Sequence, residues 1–459
     1  MEKTKRKLPD IYPVTCNTKR VGEGSTFVAI KGYKVDGAQF VEEAIARGAT
    51  QIIVEDVQDA LILSDFFLKI VSKDERFFKF VKDTREALAE LSAAAFNYPA
   101  KNLKFIGITG TKGKTTTAFL IEYILRSAGK KTALIGTIKN KINNDEYETD
   151  LTTPNSDYLH MFFNECVKQK VEYVVMEVSS HAVLTKRVHG IEFDAICFTN
   201  LSPEHMDFHR TMQHYFEAKT KLFDQLKSDG SIVINLDDEW GKKAAEKFLP
   251  CSNIISISLQ KNECRNNCPA LIGMFNEYNV LMAEKTCVQL QVKQKTIKQA
   301  LKKFVGVPGR LQKCVLKNGA VAFVDFAHNP SSFDSVLQTL RAETDHLIIV
   351  FGCGGDRDKT KRPKMGKIAE KYGDEIIITD DNPRGEDHNK IISEICDGIS
   401  KKELEYVECE PDRKKAIACA VKKSRIGSII ALLGKGHETY YIVKNEKIFF
   451  DDFQEISRY

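Results

Sequence analysis

A short stretch at residues 105–117 constrains this chain more than any other, because it predicts a strand, a glycine-broken loop and a helix in immediate succession. Phe105, Ile106 and Ile108 favour a β-strand, and the apolar residues after Lys114 recur with helical spacing. Glycines in such a loop let backbone N–H groups crowd around an anion, and the helix N-terminus adds partial positive charge. The stretch is therefore typical of a loop that holds a nucleotide triphosphate.

The side chains of this loop suit the same ligand. Lys114 and the Thr115 hydroxyl would complete a site for phosphate and Mg²⁺. Position 108 is Ile rather than Gly, so the loop has the shorter G-x-x-G-K-T form. A glycine turn with a surface lysine is the alternative interpretation, and the flanking strand and helix patterns disfavour it.

Composition limits the remaining possibilities. A chain of 459 residues, 42% hydrophobic and 29% charged, is typical of a soluble globular protein with more than one domain. The net charge of +5 is small and no basic-aromatic module occurs, so anionic small molecules are expected as partners and nucleic acid is not. The chain lacks an apolar signal segment and any membrane-length apolar run, which predicts a cytoplasmic protein without membrane insertion. The 12 scattered cysteines are expected to be reduced thiols, and a zinc role for Cys264 and Cys268 is disfavoured because no second pair follows at ligand spacing.

The order of the patterns predicts an α/β protein of three domains. Residues 1–98 form a small α/β domain with strands predicted at 25–30, 51–54 and 67–71 and helices at 40–47 and 84–96. Residues 99–307 alternate strands with helices, which favours a P-loop-type doubly wound parallel sheet. Residues 308–459, after a glycine- and proline-rich break at 306–310, repeat that alternation and predict a Rossmann-like domain.

Two strands of the central domain are followed by chemically active side chains. The apolar run 171–176 ends in Glu177, and a carboxylate at the carboxyl end of a central strand can reach Mg²⁺ beside a triphosphate. A solvated glutamate at a strand end is the plain alternative. The strand predicted at 195–198 leads into 199–209, where histidines and acids suit metal or proton-transfer chemistry. A helix is predicted at 216–226, and on its pattern alone Lys219 would be an exposed lysine.

In the C-terminal domain, strands are predicted at 320–326, 346–352, 375–379 and 428–433. Polar side chains follow each strand, which predicts one shared cleft at that edge of the sheet. They are Asp325, His328 and Asn329, then Asp356 and Arg357, then Asp381, Asn382 and Arg384, and finally Lys435, His437 and Glu438.

Taken together, the motifs resemble the Mur ligase superfamily over essentially the whole chain. The family's motifs match, in order, residues 109–115, 177–181, 200–209, 273–279 and 306–310. Within the superfamily the chain is most similar to the branch that adds the third amino acid of the peptidoglycan stem peptide. The matches specific to that branch are residues 152–154, 354–359, 381–384 and 434–438.

This resemblance implies an ATP-dependent amide ligase of peptidoglycan synthesis. The enzyme would join a diamino acid, expected to be meso-diaminopimelate, to UDP-N-acetylmuramoyl-L-alanyl-D-glutamate through an acyl phosphate. The protein is expected to be a monomer. The implied catalytic residues are Lys114, Glu177, His205 and Lys219. The implied cofactors are ATP, Mg²⁺ and a CO₂-derived carbamate on Lys219, and the implied metal ligands are Thr115, Glu177, His205 and Lys219.

The resemblance also implies the binding residues. Those for the nucleotide are Gly110, Thr111, Lys112, Gly113, Lys114, Thr115, Thr116, Asn276, Asn279, Arg310, Asp325 and His328. Those for the UDP-muramoyl dipeptide are Thr18, Tyr33, Lys34, Val35, Thr152, Thr153, Ser179 and Arg187. Those for the incoming amino acid are Arg357, Asp381, Asn382, Pro383, Arg384, Gly434 and Glu438.

Other readings of the sequence remain open at this point. A lysine- or lanthionine-adding muramyl ligase and a folylpolyglutamate synthase-like ligase are sibling enzymes, and a nucleotide-dependent binding protein is the alternative of another class. The D-N-P-R motif favours meso-diaminopimelate, because the Arg384 fork can bind a second carboxylate bidentately and lysine has none. The chain departs from the family at 17–19, where Asn-Thr-Lys replaces Asp-Ser-Arg, and at Asn329, where this branch commonly has Thr.

Overall fold

A computed structural model describes residues 5–32, 35–55, 77–147, 149–249, 253–260, 267–400, 406–444 and 446–459. The chain divides into two compact units. The first comprises Met1–Asn267 and Tyr278–Lys302, and the second comprises Cys268–Glu277 and Lys303–Tyr459. Both are built from sheets and helices, so the predicted α/β class is confirmed. No helix within the described ranges is both long and apolar enough to cross a bilayer.

The N-terminal part of the first unit contains a parallel four-stranded sheet in the order β2-β3-β4-β5. Its strands are β2 (Val14–Thr15), β3 (Thr26–Val28), β4 (Gln51–Glu55) and β5 (Phe78–Val81), and the preceding β1 (Lys5–Arg6) belongs to the larger sheet described next. The helices are α1 (Val41–Ala46) and α2 (Thr84–Ala95), with short 3-10 turns at Thr18–Arg20, Gly37–Phe40 and Pro99–Asn102. The strand predicted at 67–71 lies outside the described residues.

The remainder of the first unit is organised on a nine-stranded sheet in the order β1-β9-β8-β7-β10-β6-β11-β12-β13. Its further strands are β6 (Lys104–Thr109), β7 (Thr132–Ile135), β8 (Asn140–Ile142), β9 (Asp145–Tyr147), β10 (Tyr173–Glu177), β11 (Phe193–Phe198), β12 (Leu226–Asn235) and β13 (Asn253–Ile257). The helices of this part are α3 (Lys114–Ser127), α4 (Ser156–Lys168), α5 (Ser180–Leu184), α6 (Met206–His209), α7 (Met212–Thr220) and α8 (Glu239–Phe248). The first residues of α9 (Met274–Gln289) are assigned to the second unit and the rest to the first, which also contains α10 (Gln294–Lys303) except for its last residue.

The centre of this sheet is parallel, as predicted, and it positions the site. Strand β6 lies between β10 and β11, so the carboxyl ends of all three meet at one edge. Phe105 of β6 packs edge-on against Phe163 at 4.9 Å and Phe193 at 6.2 Å between ring centroids. These buried rings hold the central strands against α4, and aromatic pairs of this kind stabilise a core beyond their buried area.

One prediction for this part was wrong in detail, and one feature was not predicted. The helix predicted at 216–226 is in fact the end of α7, a 3-10 turn at Lys221–Gln225 and the first residue of β12. Its apolar residues fit either description, because a short apolar run does not distinguish a helix from a buried strand. The sheet also carries an antiparallel hairpin, β8 and β9, that was not predicted.

The second unit contains a six-stranded sheet in the order β14-β15-β19-β16-β17-β18, in which only the β14–β15 pair is antiparallel. Its strands are β14 (Gln312–Val315), β15 (Val321–Asp325), β16 (Leu347–Phe351), β17 (Glu375–Ile378), β18 (Val407–Cys409) and β19 (Ile429–Leu433), with a separate hairpin of β20 (Tyr440–Val443) and β21 (Glu446–Phe449). The helices are α11 (Pro330–Arg341), α12 (Lys361–Tyr372), α13 (His388–Cys396), α14 (Arg413–Lys423) and α15 (Asp452–Ile456).

All four strands predicted for this unit are present and parallel to one another, with ends within a residue or two of the prediction. Buried apolar clusters cover both faces of the sheet. The polar residues that follow the strands therefore emerge at one edge, where open α/β sheets bind ligands. The ten cysteines within the described ranges are all unpaired thiols, in agreement with the expectation of reduced cysteines.

Candidate active site

The predicted phosphate loop connects the end of β6 to the start of α3. Gly110 and Gly113 adopt φ values of 140° and 85°, in the region that favours glycine. A Cβ atom on Gly110 would lie 1.9 Å from Thr199 Oγ1, and one on Gly113 would lie 2.3 Å from Asn279 Oδ1. Both glycines are therefore required by backbone conformation and by close contact, and Asn279, one of the residues predicted to bind the nucleotide, lies against the loop.

Asn200, which follows β11, anchors the loop from the other side. Its Oδ1 accepts from the Lys112 amide at 3.0 Å, and its Nδ2 donates to the Lys112 carbonyl at 3.1 Å. The Thr111 amide donates to the Asn200 carbonyl at 2.9 Å. Asn200 was not among the predicted site residues, although it is the first residue of the 200–209 motif.

Lys114 folds back over the loop. Its Nζ donates to the carbonyls of Gly110 at 2.9 Å and Thr111 at 2.8 Å. The ammonium therefore lies at the loop, where a phosphate would need it.

Glu177 at the end of β10 is buried beside the loop. One carboxylate oxygen accepts from the hydroxyls of Thr115 at 2.9 Å and Thr137 at 3.1 Å, and the other accepts from the Thr137 amide at 2.8 Å. The side chain of Glu177 is almost completely inaccessible to water, so the alternative of a solvated glutamate was wrong. A hydroxyl and a carboxylate at this distance are a suitable oxygen pair for a divalent cation. Thr137, which orients Glu177, was not predicted.

Lys219 on α7 is buried rather than exposed, which corrects the expectation from its helical pattern. Its exposed fraction is 1%, its Nζ donates to the Gly110 carbonyl at 2.7 Å, and the ammonium lies 4.6 Å from the centre of the Tyr215 ring. Burial and the nearby charge of Lys114 hold the pKa of Lys219 well below its usual value. The structure therefore brings two lysines to the same loop, and Lys219 is held there as a weak base.

Three histidines cluster next to this loop. The His181 ring stacks on Phe208 at 4.0 Å and lies 5.3 Å from the His205 ring. His209 Nε2 bonds to the Ser180 hydroxyl at 2.8 Å, while its Nδ1 is buried without a partner among the described residues. Burial, reinforced by His181, lowers the pKa of His209 to about 4, so its imidazole is neutral near pH 7. His209 is thus a structural member of the cluster, and His205 remains the predicted ligand.

The residues predicted for the dipeptide on the central sheet are contiguous with Glu177. The Thr153 hydroxyl donates to the Glu177 carbonyl at 2.9 Å and accepts from the Ser179 amide at 3.1 Å. Arg187 Nη1 donates to the Thr153 carbonyl at 2.8 Å, and the hydroxyl of Thr152 lies 3.1 Å from that of Thr137. One hydrogen-bonded group therefore joins the predicted metal and dipeptide residues.

The other residues predicted for the dipeptide belong to the N-terminal part of the first unit. Thr18 begins the 3-10 turn that Asn17 caps by accepting from the Lys19 amide at 3.0 Å. Val35 is half exposed, and Tyr33 and Lys34 lie outside the described residues.

Asn276, a residue predicted to bind the nucleotide, belongs to the second unit. Its Nδ2 donates to the Ile272 carbonyl at 2.8 Å. The structure thus assigns the two asparagines of the 273–279 motif to different units.

In the second unit, the ends of β17 and β19 bring four polar side chains together. Asn382 Nδ2 donates to Glu438 at 2.9 Å and to Asp381 at 3.2 Å. The buried Lys435 ammonium lies 3.9 Å from Asp381 and 3.7 Å from Glu438. Burial raises the pKa of Glu438 and lowers that of Lys435. The predicted residues Asp381, Asn382 and Glu438 therefore form one network, with Lys435 at its centre.

Arg384 extends this network towards the loop after β16. It has a φ of 52°, and its Nη1 donates to the carbonyls of Gly355 at 2.9 Å and Asn382 at 3.3 Å. The buried Arg362 braces the same loop through Glu386, to which its two Nη atoms donate at 3.0 and 3.1 Å. This pairing lowers the pKa of Glu386 to about 2.

Of the other amino-acid-site predictions, Pro383 and Gly434 are buried within this network, whereas Arg357 is exposed on the loop after β16.

The nucleotide residues predicted for the second unit gather around Phe326. The Arg310 guanidinium lies 4.8 Å from the centre of that ring, and His328 Nδ1 bonds to the Phe326 carbonyl at 2.8 Å. Asp325 accepts from the amides of Leu311 at 2.7 Å and Ala327 at 2.8 Å, and burial raises the pKa of its carboxyl. The predicted Asp325, Arg310 and His328 are therefore neighbours.

The fold and site together define a nucleotide-binding type of protein, with a phosphate loop on a largely parallel α/β sheet. Family models match three successive segments, described as Mur ligase family, catalytic domain, at residues 10–96, Mur ligase middle domain at 108–268, and Mur ligase, glutamate ligase domain, at 309–436. The chain belongs to the Mur ligase family, which confirms the resemblance seen in its motifs.

Individual relatives agree over nearly the whole length. A UDP-N-acetylmuramoyl-L-alanyl-D-glutamate--2,6-diaminopimelate ligase of Clostridium botulinum is 38% identical, over 98% of this chain and 95% of its own. The ligase of that name from Clostridium perfringens is 41% identical, over 96% of this chain and 93% of its own. A solved structure of a ligase with the same name superposes with a TM-score of 0.66 at 28% identity, covering 98% of this chain and 94% of its own.

Proposed function

We propose that this protein uses ATP to add meso-diaminopimelate to UDP-N-acetylmuramoyl-L-alanyl-D-glutamate in peptidoglycan synthesis. The relatives described above carry the name of that reaction. The observation that carries the choice of substrate is the network of Asp381, Asn382 and Glu438 beside the Arg384 guanidinium. It offers acids for an ammonium group next to a fork for a carboxylate, and a diamino acid with a distal carboxylate presents both.

The first step is the activation of a carboxylate. An oxygen of the dipeptide's glutamate attacks the γ-phosphorus of ATP, the bond from that phosphorus to the β-γ bridging oxygen breaks, and ADP leaves an acyl phosphate behind. Lys114, already held at the loop carbonyls, would turn its ammonium to the transferring phosphoryl group and stabilise its developing charge.

Mg²⁺ fits the oxygen atoms at this loop. Thr115 and Glu177 would hold the ion through a hydroxyl and a carboxylate that already lie 2.9 Å apart, with His205 as a further ligand implied by the family. When bound, such an ion neutralises phosphate charge. Thr137 and Thr153 keep Glu177 oriented by hydrogen bonds to its carboxylate and its carbonyl.

A carbamate on Lys219 belongs to the same proposal. An unprotonated lysine amine attacks the carbon of CO₂, forms an N–C bond and releases a proton. Burial favours the unprotonated amine of Lys219, and the neighbouring charge of Lys114 would stabilise the resulting anion. The carbamate oxygens would supply additional hard ligands for a divalent cation.

The second step forms the amide bond. The unprotonated amine of the amino acid attacks the acyl carbon and the C–N bond forms. The C–O bond to the phosphoryl group breaks, and the departing phosphate takes up the proton that the amine loses. Asp381, Asn382, Arg384 and Glu438 would hold the far end of the amino acid and so orient its reacting amine.

The remaining substrate and nucleotide contacts stay predictions, as do the monomeric state and the cytoplasmic location. So do the domain bounds of 1–98, 99–307 and 308–459. The three matched family segments fall within those bounds and support them.

The deciding experiment measures phosphate release with ATP, the UDP-dipeptide and a panel of amino acids. We expect meso-diaminopimelate to be used with the highest kcat/KM, well above L-lysine and lanthionine. A preference for L-lysine or lanthionine would overturn the proposed substrate but keep the ligase. ATP binding without phosphate release for any amino acid would favour a nucleotide-dependent binding protein instead.

A further inference from the structure

A buried ion pair lies beneath the polar network of the second unit. Arg413 begins α14 with an exposed fraction of 3%, and Asp452 begins α15 with none. Arg413 Nε donates to Asp452 Oδ1 at 2.7 Å, and its Nη2 donates to Oδ2 at 2.6 Å. This bidentate geometry fixes the plane of the guanidinium, because both parallel bonds must be kept together.

Two further N–H groups of the guanidinium reach two backbone carbonyls. Nη1 donates to the Asp380 carbonyl at 3.1 Å, and Nη2 donates to the Leu433 carbonyl at 3.2 Å. Asp380 directly precedes the 381–384 motif, and Leu433 directly precedes the 434–438 motif. One planar group therefore connects the starting points of both loops that carry the proposed amino-acid site.

The sheet itself does not connect these two points directly. Strand β16 lies between β17 and β19, so no ladder hydrogen bond joins the strand that ends before Asp380 to the strand that ends at Leu433. The Arg413 guanidinium spans this gap. Its position thus limits how far apart the two loops can lie. It therefore also limits the distance between Asn382 on one loop and Glu438 on the other.

A second arginine of the same sheet provides a comparison. Arg341 Nη1 donates to Asp374 Oδ2 at 2.6 Å, and its Nη2 donates to the Thr344 carbonyl at 2.6 Å. Its Nη1 also donates to the Tyr372 carbonyl at 3.3 Å. Asp374 and Thr344 precede β17 and β16, so this arginine joins a carboxylate and two carbonyls at the opposite edge of the sheet. It shares the chemistry of Arg413 without contacting either motif.

We propose that Arg413, held by Asp452, is a positioning residue for the incoming amino acid, because it sets the separation of the 381–384 and 434–438 loops. This inference rests on the proposed function. The two carbonyls that Arg413 bonds besides Asp452 stand at the starts of the two motif loops, so replacing Arg413 would change the spacing of those loops as well as the stability of the fold.

The test compares Arg413→Lys with Arg341→Lys in the full-length protein. Lysine keeps the charge but lacks the planar fork, so it cannot hold Asp452 bidentately and also bond to both carbonyls. For Arg413→Lys we expect the KM of meso-diaminopimelate to rise by about tenfold or more, with the KM values of ATP and the UDP-dipeptide within about twofold of wild type. Arg341→Lys should lower the melting temperature without this selective rise.

Equal KM values in the two variants, or a proportional rise of all three KM values in Arg413→Lys, would overturn the inference. If Arg413→Lys does not fold, Asp452→Asn serves in its place, because the isosteric amide still accepts one N–H but releases the second. A folded Asp452→Asn variant with an unchanged KM for the amino acid would also overturn it. If the wild-type protein ligates no amino acid, both this inference and the proposed function are overturned. If the wild type ligates and the two arginine variants have the same KM for the amino acid, only this inference is overturned.

Discussion

Replacing Arg384 tests the proposed choice of amino acid most sharply. Its Nη1 already bonds to the carbonyls of Gly355 and Asn382, which leaves the rest of the guanidinium for a substrate carboxylate. Removing one partner of a buried charge pair costs about 2–5 kcal/mol. Arg384 is only half buried, so the lower end applies, and about 2–3 kcal/mol corresponds to a loss of roughly 30- to 150-fold in kcat/KM.

The assay measures kcat/KM for meso-diaminopimelate and for L-lysine with wild type and Arg384→Ala. Lysine has no distal carboxylate, so its activity should fall much less, and the ratio of the two values should shift by the amount given above. General damage cancels from this ratio, including any from placing alanine at the φ of 52°. Equal losses for both amino acids would mean that Arg384 only maintains the loop, and the assignment of meso-diaminopimelate would lose its physical basis.

Three further predictions concern other charged groups. Lys114→Ala should abolish phosphate release while leaving the thermal unfolding curve close to wild type, and near-normal turnover would remove the loop from the mechanism. Lys219 should carry the mass of an added CO₂ in protein kept in bicarbonate, and Lys219→Ala should be inactive yet partly restored by a small carboxylate; a fully active alanine variant would contradict this. Glu386, with a pKa lowered from 4.5 to about 2 by Arg362, should stabilise the fold above pH 4.5 and lose that contribution as the pH falls toward 2. Between pH 4.5 and pH 2, the melting temperature of Glu386→Gln should therefore fall less than that of wild type. Equal falls in the two proteins would refute this prediction.

The sequence predicted the parts of the fold whose patterns are local. The strand, loop and helix at residues 105–117 and the four apolar strands of the second unit are continuous runs with clear stops, and each is found within a residue or two. The hairpin of β8 and β9 was missed because its strands are only three residues long and their polar sequences lack alternation.

Burial of charged groups could not be predicted in the same way. Lys219 and Arg413 belong to the residue types that are rarely buried, and their helices do not reveal which face meets the core. Both can be buried because each donates to an acceptor inside the fold, the Gly110 carbonyl for Lys219 and the Asp452 carboxylate for Arg413. Such partners are distant in sequence, so tertiary structure decides them.

Supporting residues around the predicted site were missed for a related reason. Thr137 and Asn200 orient Glu177 and the phosphate loop by hydrogen bonds, yet threonine and asparagine are common in loops of every kind. Motif spacing predicted groups that would contact ligands, and those contacts stay predictions. It could not identify the groups that hold them in place.

The measurement that tests the central claim most directly follows an oxygen isotope from the dipeptide into phosphate. The UDP-dipeptide is prepared with ¹⁸O in the glutamate carboxylate that forms the amide, and the phosphate released during ligation of meso-diaminopimelate is analysed by mass spectrometry. Because the acyl phosphate contains a carboxylate oxygen bonded to phosphorus, we predict that one ¹⁸O atom enters each phosphate released. Amide formation with unlabelled phosphate would contradict an acyl-phosphate intermediate at this site.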